Sequence, residues 1–145
     1  MILAVDPGLV SGVFAVYNDG SIASALELSP YETVSFVEAK ALISPRLHVV
    51  CEQFTFAANA HRMTRQPEAL EIIGALRYVS RKHSRPFKLQ SRNIKSRVDN
   101  DTLKRIGWYS QTVGGHLNDA ARHAFVAFVQ LYPHHSLVKT SLATI

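Results

Sequence analysis

Apolar residues fall partly in short β-type runs and partly in longer stretches of helical spacing along the chain. Ile2 to Val5, Val13 to Tyr17 and Ser21 to Leu26 read as three strands, parted by the Pro7-Gly8 turn and by Asn18-Asp19-Gly20. The Asp-Gly pair is a hairpin signal, so the second and third strands should be antiparallel neighbours. From Pro30 to Ile43 the apolar positions Val34, Val37, Ala41 and Leu42 predict a helix, with Ser29 as its N-cap and Pro30 in its first position. That helix is a crossover to a fourth strand, Leu47 to Cys51, and makes strands one and four parallel partners.

Past Phe54-Thr55-Phe56 the chain loosens through Ala57 to Arg62, and Pro67 opens a long helix to about Arg81 along Leu70, Ile72, Ile73 and Leu76. Phe87 to Leu89 is a fifth strand. Ser91 to Trp108 is polar, basic and helical in pieces, with Asp99 or Asp101 as a cap for the second piece. Gly114-Gly115 breaks the chain before a last helix, Leu117 to Leu131. Its Ala120, Ala121, Ala124, Phe125, Ala127, Phe128 and Leu131 form a broad face to lay on the sheet. This order predicts an α/β fold with a mixed five-stranded sheet flanked by helices, in one domain spanning residues 1–145.

Three carboxylates stand at the edges of these apolar elements. Asp6 ends the first strand, Glu52 follows the fourth, and Asp119 lies in the opening turn of the last helix. A carboxylate at the tip of a buried strand is costly unless a cation or hydrogen bonds compensate it, and hard divalent cations take oxygen ligands. The topology brings Asp6 and Glu52 to the ends of neighbouring strands and Asp119 to the same edge, the pattern of a metal site assembled across a sheet. His116 lies three positions before Asp119 on one helical face. His123 continues that face and is read as a packing or hydrogen-bonding residue.

Net charge is +5, and its distribution matters more than its sum. The first sixty residues hold six acidic and two basic side chains, whereas residues 77–105 hold ten of the sixteen basic ones. Such a block is the footprint expected for a polyanion, or else a solvated basic face. Beside an acidic cluster it favours nucleic acid over a membrane as partner. With 47% hydrophobic and 19% charged residues, the composition argues for a globular fold and against extended disorder. The single cysteine, Cys51, cannot form an internal disulfide and fits a reducing compartment. No apolar run approaches the ~18 residues that span a bilayer, and Met1 leads directly into a strand. The expectation is a soluble cytoplasmic protein, of a bacterium or, if phage-encoded, of the host cytoplasm.

Three segments together resemble the RuvC family of Holliday junction resolvases, within the ribonuclease H-like superfamily. They are Ile2-Leu3-Ala4-Val5-Asp6-Pro7-Gly8, Val49-Val50-Cys51-Glu52-Gln53-Phe54 and His116-Leu117-Asn118-Asp119-Ala120-Ala121, in matching order over almost the full chain. The resemblance implies a homodimeric, structure-selective endonuclease that cuts branched DNA in paired, symmetric fashion. It also implies two magnesium ions per active site, with manganese able to substitute, held by Asp6, Glu52, His116 and Asp119 as catalytic and metal-binding residues. An aromatic residue shortly after the glutamate stacks near the junction in the family. Here Phe54 and Phe56 flank Thr55, the position that aligns most simply, and either phenylalanine is a candidate. Lys88, Arg92, Lys95, Arg97, Lys104 and Arg105 are the candidates for phosphate contacts. A branch-migration helicase partner is not identifiable from the sequence.

Four other readings compete. A ribonuclease H-like nuclease cutting forks and flaps would keep all three carboxylates. A non-catalytic branched-DNA binding protein would not need them, and the intact Asp6, Glu52 and Asp119 argue against it. An actin-like phosphotransferase needs a longer chain with two lobes. An ordinary small α/β protein would have Asp6 and Glu52 exposed and far apart.

Overall fold

The opening meander is built from short runs rich in β-branched and small residues. A computed structural model, which describes residues 1–54 and 67–142, places β1 at Ile2–Asp6, β2 at Ser11–Val16 and β3 at Ile22–Leu28. β1 pairs antiparallel with β2, and β2 with β3. The tip of the second hairpin turns through Gly20 at φ 83°, and the Trp108 indole donates a hydrogen bond of 3.0 Å to the Gly20 carbonyl.

Helix α1, Pro30–Ile43, begins with the expected Ser29 cap, completed by Glu32 as a capping box. It crosses to β4, His48–Glu52, which lies parallel to β1. Helix α2, Pro67–Lys82, leads to β5, Phe87–Gln90, parallel to β4. The sheet order is β3-β2-β1-β4-β5, the mixed five-stranded sheet that the sequence predicts. A 3₁₀ turn at Arg92–Ser96 and helix α3, Asn100–Arg105, capped by Asp99, fill the basic stretch. Helix α4 runs His116–Leu131, and a short α5, Ser136–Leu142, follows it.

Each face of the sheet carries its own core. Leu3, Val5, Val13 and Val49 pack under α1 and α2 with Val37, Ile72 and Leu76. Ile2, Ala4, Phe14 and Val50 pack under α4, with Trp108 set among Phe14, Phe125 and Phe128. Three apolar positions expected on helix faces lie outward instead: Leu70, Leu42 and Leu131. Ala69 and Val79 join Ile72, Ile73 and Leu76 on the buried side of α2, which rotates Leu70 toward solvent. α5 lies beyond the last element that the sequence predicts. Val138 and the His135 ring, which accepts from the Leu137 amide, hold it to the core.

α4 comes unusually close to β2. A Cβ at Gly12 would overlap the main-chain carbonyl of His116, so only glycine allows the first turn of α4 to seat there. Gly12→Ala should force the helix start off the sheet and cost on the order of 3 kcal/mol. Denaturant unfolding of the purified variant measures this, and unchanged stability would refute the close seating.

Candidate active site

Strand parity brings the acidic residues to one face. Side chains of a strand alternate between faces, and Ile2 and Ala4 of β1, like Val50 of β4, belong to the α4 side. Asp6 and Glu52 continue those two series. Val5 pairs with Cys51, so Asp6 and Glu52 stand side by side one step further on. Asp6 also pairs with Gly12 of β2, and Glu52 with Gln90 of β5. Gly12, Asp6, Glu52 and Gln90 thus form a row across four strands at the rim of the sheet, beneath the first half of α4.

Lys95 closes this row from above. It sits in the 3₁₀ turn just after β5, and its Nζ lies 2.6 Å from Glu52, 2.8 Å from Asp119 and 3.2 Å from Asp6. Three carboxylates from three different elements therefore converge on one ammonium. Lys95, one of the candidates for a phosphate contact, points into the carboxylates in this structure. Nothing in a block of ten basic residues distinguishes the one that folds inward.

Each carboxylate also receives a second partner from α4. His116 Nδ1 lies 3.2 Å from Asp6, His123 Nε2 lies 3.1 Å from Glu52, and Arg122 pairs with Asp119. Arg122 further donates to the Val98 carbonyl and to Asn100, tying α3 to the site. Asn118 bonds both the amide and the carbonyl of Ser110 at 2.8 Å, which pins the approach to α4. His116 is the most open member of the group, 44% exposed at the side chain, while Asp6 and Glu52 are buried. Arg122 was not anticipated; its signal was its place three residues after Asp119.

Burial and the adjacent Glu52 charge push the Asp6 carboxyl above the usual range, although Lys95 opposes them. Burial acts on Glu52 as well, but hydrogen bonds from His123 and Lys95, with the Lys95 charge, outweigh it and hold Glu52 down at about 2. Burial works against the charge on Lys95, but its bonds to Asp119 and Glu52 overcome that and raise its pKa. Cys51, behind the row, is a buried free thiol that burial pushes far up.

Among the described residues no group of three or more His, Cys, Asp or Glu side chains stands in metal-holding geometry. Asp6, Glu52 and Asp119 are spaced around Lys95 instead. Their donor set is nevertheless all oxygen, which suits a hard cation, and the point on which they converge already stabilises positive charge. An ion held by this set would take the place that the Lys95 ammonium fills.

The other basic candidates are spread more widely. Arg92 is exposed, with Nε 3.8 Å from Glu52, and Lys88 donates to Gln130 on α4. Arg97 is exposed. Lys104 pairs loosely with Asp101 and lies over the Tyr109 ring, and Arg105 bonds Thr102 and the Ser141 carbonyl. Arg77, Arg81 and Arg85 line a separate cavity of about 430 Å³ with Ser84 and Phe87. Phe54 is half-buried against the α1 and α2 side of the core, and Phe56 lies outside the described residues.

Removing the ammonium leaves three carboxylates facing one another. Lys95→Met should lower stability by on the order of 3 kcal/mol in EDTA, a fall of roughly 10 °C in melting temperature. Magnesium should return most of that loss. Melting curves with and without the ion test this, and a variant as stable as wild type in EDTA would show that Lys95 compensates nothing.

No protein-family model matches the chain, and no curated protein matches it. Solved structures do. The chain is similar to Thermus thermophilus RuvC in complex with a Holliday junction substrate, at 17% identity and a TM-score of 0.61, over 90% of this chain and 94% of that one. It is similar also to another T. thermophilus RuvC structure, at 18% identity and a TM-score of 0.58, over 91% and 96% of the two chains. The protein therefore has the RuvC fold, a ribonuclease H-like mixed sheet flanked by helices, as its sequence motifs predict.

Proposed function

We infer that the protein is a metal-dependent, structure-selective endonuclease that resolves four-way DNA junctions by paired symmetric cleavage, with residues 1–145 as one nuclease domain that works as a homodimer. The observation that carries this reading is the convergence of Asp6, Glu52 and Asp119 on a single cationic point at the carboxyl ends of β1 and β4. The similarity to a RuvC bound to a Holliday junction supports a branched-DNA substrate.

In this reading Asp6, Glu52 and Asp119 hold the cation, of the magnesium or manganese class, with His116 beside them. When bound, such ions polarise the scissile phosphate, make a bound water a better nucleophile and stabilise the leaving oxygen. Lys95 yields its place among the carboxylates and turns its ammonium toward the incoming backbone. His116, open to solvent while Nδ1 faces Asp6, orients the attacking water from its outer nitrogen. Arg122 stays with Asp119 and keeps that carboxylate aimed inward. Arg92, Lys88, Arg97, Lys104 and Arg105 contact phosphates, and Phe54 or Phe56 stacks at the branch point, where a stacked base contributes about 1–3 kcal/mol.

Asp6→Asn should abolish cleavage and leave junction binding largely intact, since a ligand is lost but the basic surface is not. Labelled four-way junction, fork, flap and linear duplex, each with magnesium, manganese or EDTA, are the substrates to compare. Paired symmetric nicks in the four-way junction alone are the expected result. Equal cutting of forks and flaps would favour a general branched-DNA nuclease. An Asp6→Asn variant that cuts at the wild-type rate would refute the site.

A further inference from the structure

His123 is the one fully buried histidine among the described residues, and the chemistry assigned so far does not use it. It lies on α4 among Ala120, Ala124 and Ala127, in a helix face that otherwise packs as apolar core. Both of its ring nitrogens are engaged. Nε2 lies 3.1 Å from Glu52, and Nδ1 lies 2.7 Å from the side-chain oxygen of Gln90. Gln90 is in turn the strand partner of Glu52. The three side chains close a small circuit: two backbones paired in the sheet, joined again above it by an imidazole. The Gln90 amide nitrogen has no partner in the buried interior, a polar group kept where an apolar one would cost less.

We propose that His123 and Gln90 form a buried relay that fixes the Glu52 carboxylate toward the cation position. The inference rests on the metal-site reading above. An ionised carboxylate only accepts hydrogen bonds, so Nε2 carries the hydrogen and donates to Glu52. Nδ1 of that ring then accepts, and the Gln90 amide, turned so that its otherwise unpartnered nitrogen faces the ring, donates to it and fixes the ring's orientation. Lys95 also bonds Glu52, but it must leave when a divalent ion arrives, and Arg92 lies 3.8 Å away on an exposed side chain. His123 is then the donor that stays. Without it, a glutamate with three rotatable bonds is free to swing away from the ion. His123 is thus a positioning residue, acting through Glu52, and Gln90 supports it. Partners of this kind behind a ligand govern metal affinity by roughly 10- to 100-fold.

Manganese titrated into wild type, His123→Leu, His123→Gln and Gln90→Leu, with bound ion read by electron paramagnetic resonance, tests the relay, and junction binding and cleavage are measured alongside. His123→Leu should weaken manganese binding by roughly 10- to 100-fold, and Gln90→Leu by less. His123→Gln, whose amide nitrogen reaches the place of Nε2, should restore most of the loss, with junction binding unchanged throughout. Wild-type affinity in His123→Leu, or no recovery in His123→Gln, would overturn the proposal. Should His123→Leu fail to fold, nitrogen resonances of the histidine rings in metal-free protein decide it. Glu52→Gln must move those of His123, and an unmoved ring would sink the relay. A wild type that binds manganese yet cuts no branched DNA defeats the endonuclease reading and leaves the relay standing, whereas a wild type that binds none defeats both.

Discussion

Negative charge held in a half-buried place has to be answered, and the upper edge of this sheet is organised around that demand. Asp6, Glu52 and Asp119 come from a strand end, another strand end and a helix start, with no sequence proximity to hold them together. What makes their approach favourable is Lys95, with Arg122 on the outer side of Asp119. The cost of burial is visible in Asp6, pushed above the usual carboxyl range, and its relief in Glu52, held down at about 2. An ion entering this place competes with a tethered ammonium already at high effective concentration. A monovalent cation offers no charge that the lysine lacks. A divalent one offers twice as much.

Helix α4 does more than cover the core. Its buried face is mostly alanine and phenylalanine, which lets it lie close over β1 and β2, closest of all at Gly12. From that position His116, Arg122 and His123 each reach a different carboxylate, while Asp119 contributes its own. The arrangement depends on helix periodicity: 116, 119 and 123 share one face and 122 lies beside it. The same helix thus serves packing with its apolar residues and the polar site with its charged and imidazole ones.

The three carboxylates were legible in the sequence because each interrupts or borders an apolar run, where a charge is conspicuous. Strand pairing was legible too, since the Asp19-Gly20 hairpin and the α1 crossover leave few alternatives, and observed strand bounds differ from the expected ones by a residue or two. Lys95 was not, because its inward turn follows from a 3₁₀ segment and not from any property that sets it apart from Arg92 or Arg97. Gln90 read as an ordinary strand end, and its importance exists only through register with Glu52. Leu70 misled because helix-face reasoning treats an apolar residue as buried, whereas Ala69 next to it fills the inward position.

The row at the sheet rim shares its parity with the core. Ile2, Ala4 and Asp6 point one way and Leu3 and Val5 the other; Val50 and Glu52 likewise oppose Val49 and Cys51. If β4 slipped by one residue along β1, Glu52 would turn into the apolar layer under α1 and α2, and Cys51 would face Lys95. Such a misalignment is penalised in both cores at once, by a buried charge on one side and a lost apolar contact on the other. A chain that has settled its hydrophobic layers has therefore already set Asp6 and Glu52 side by side on the face that α4 covers.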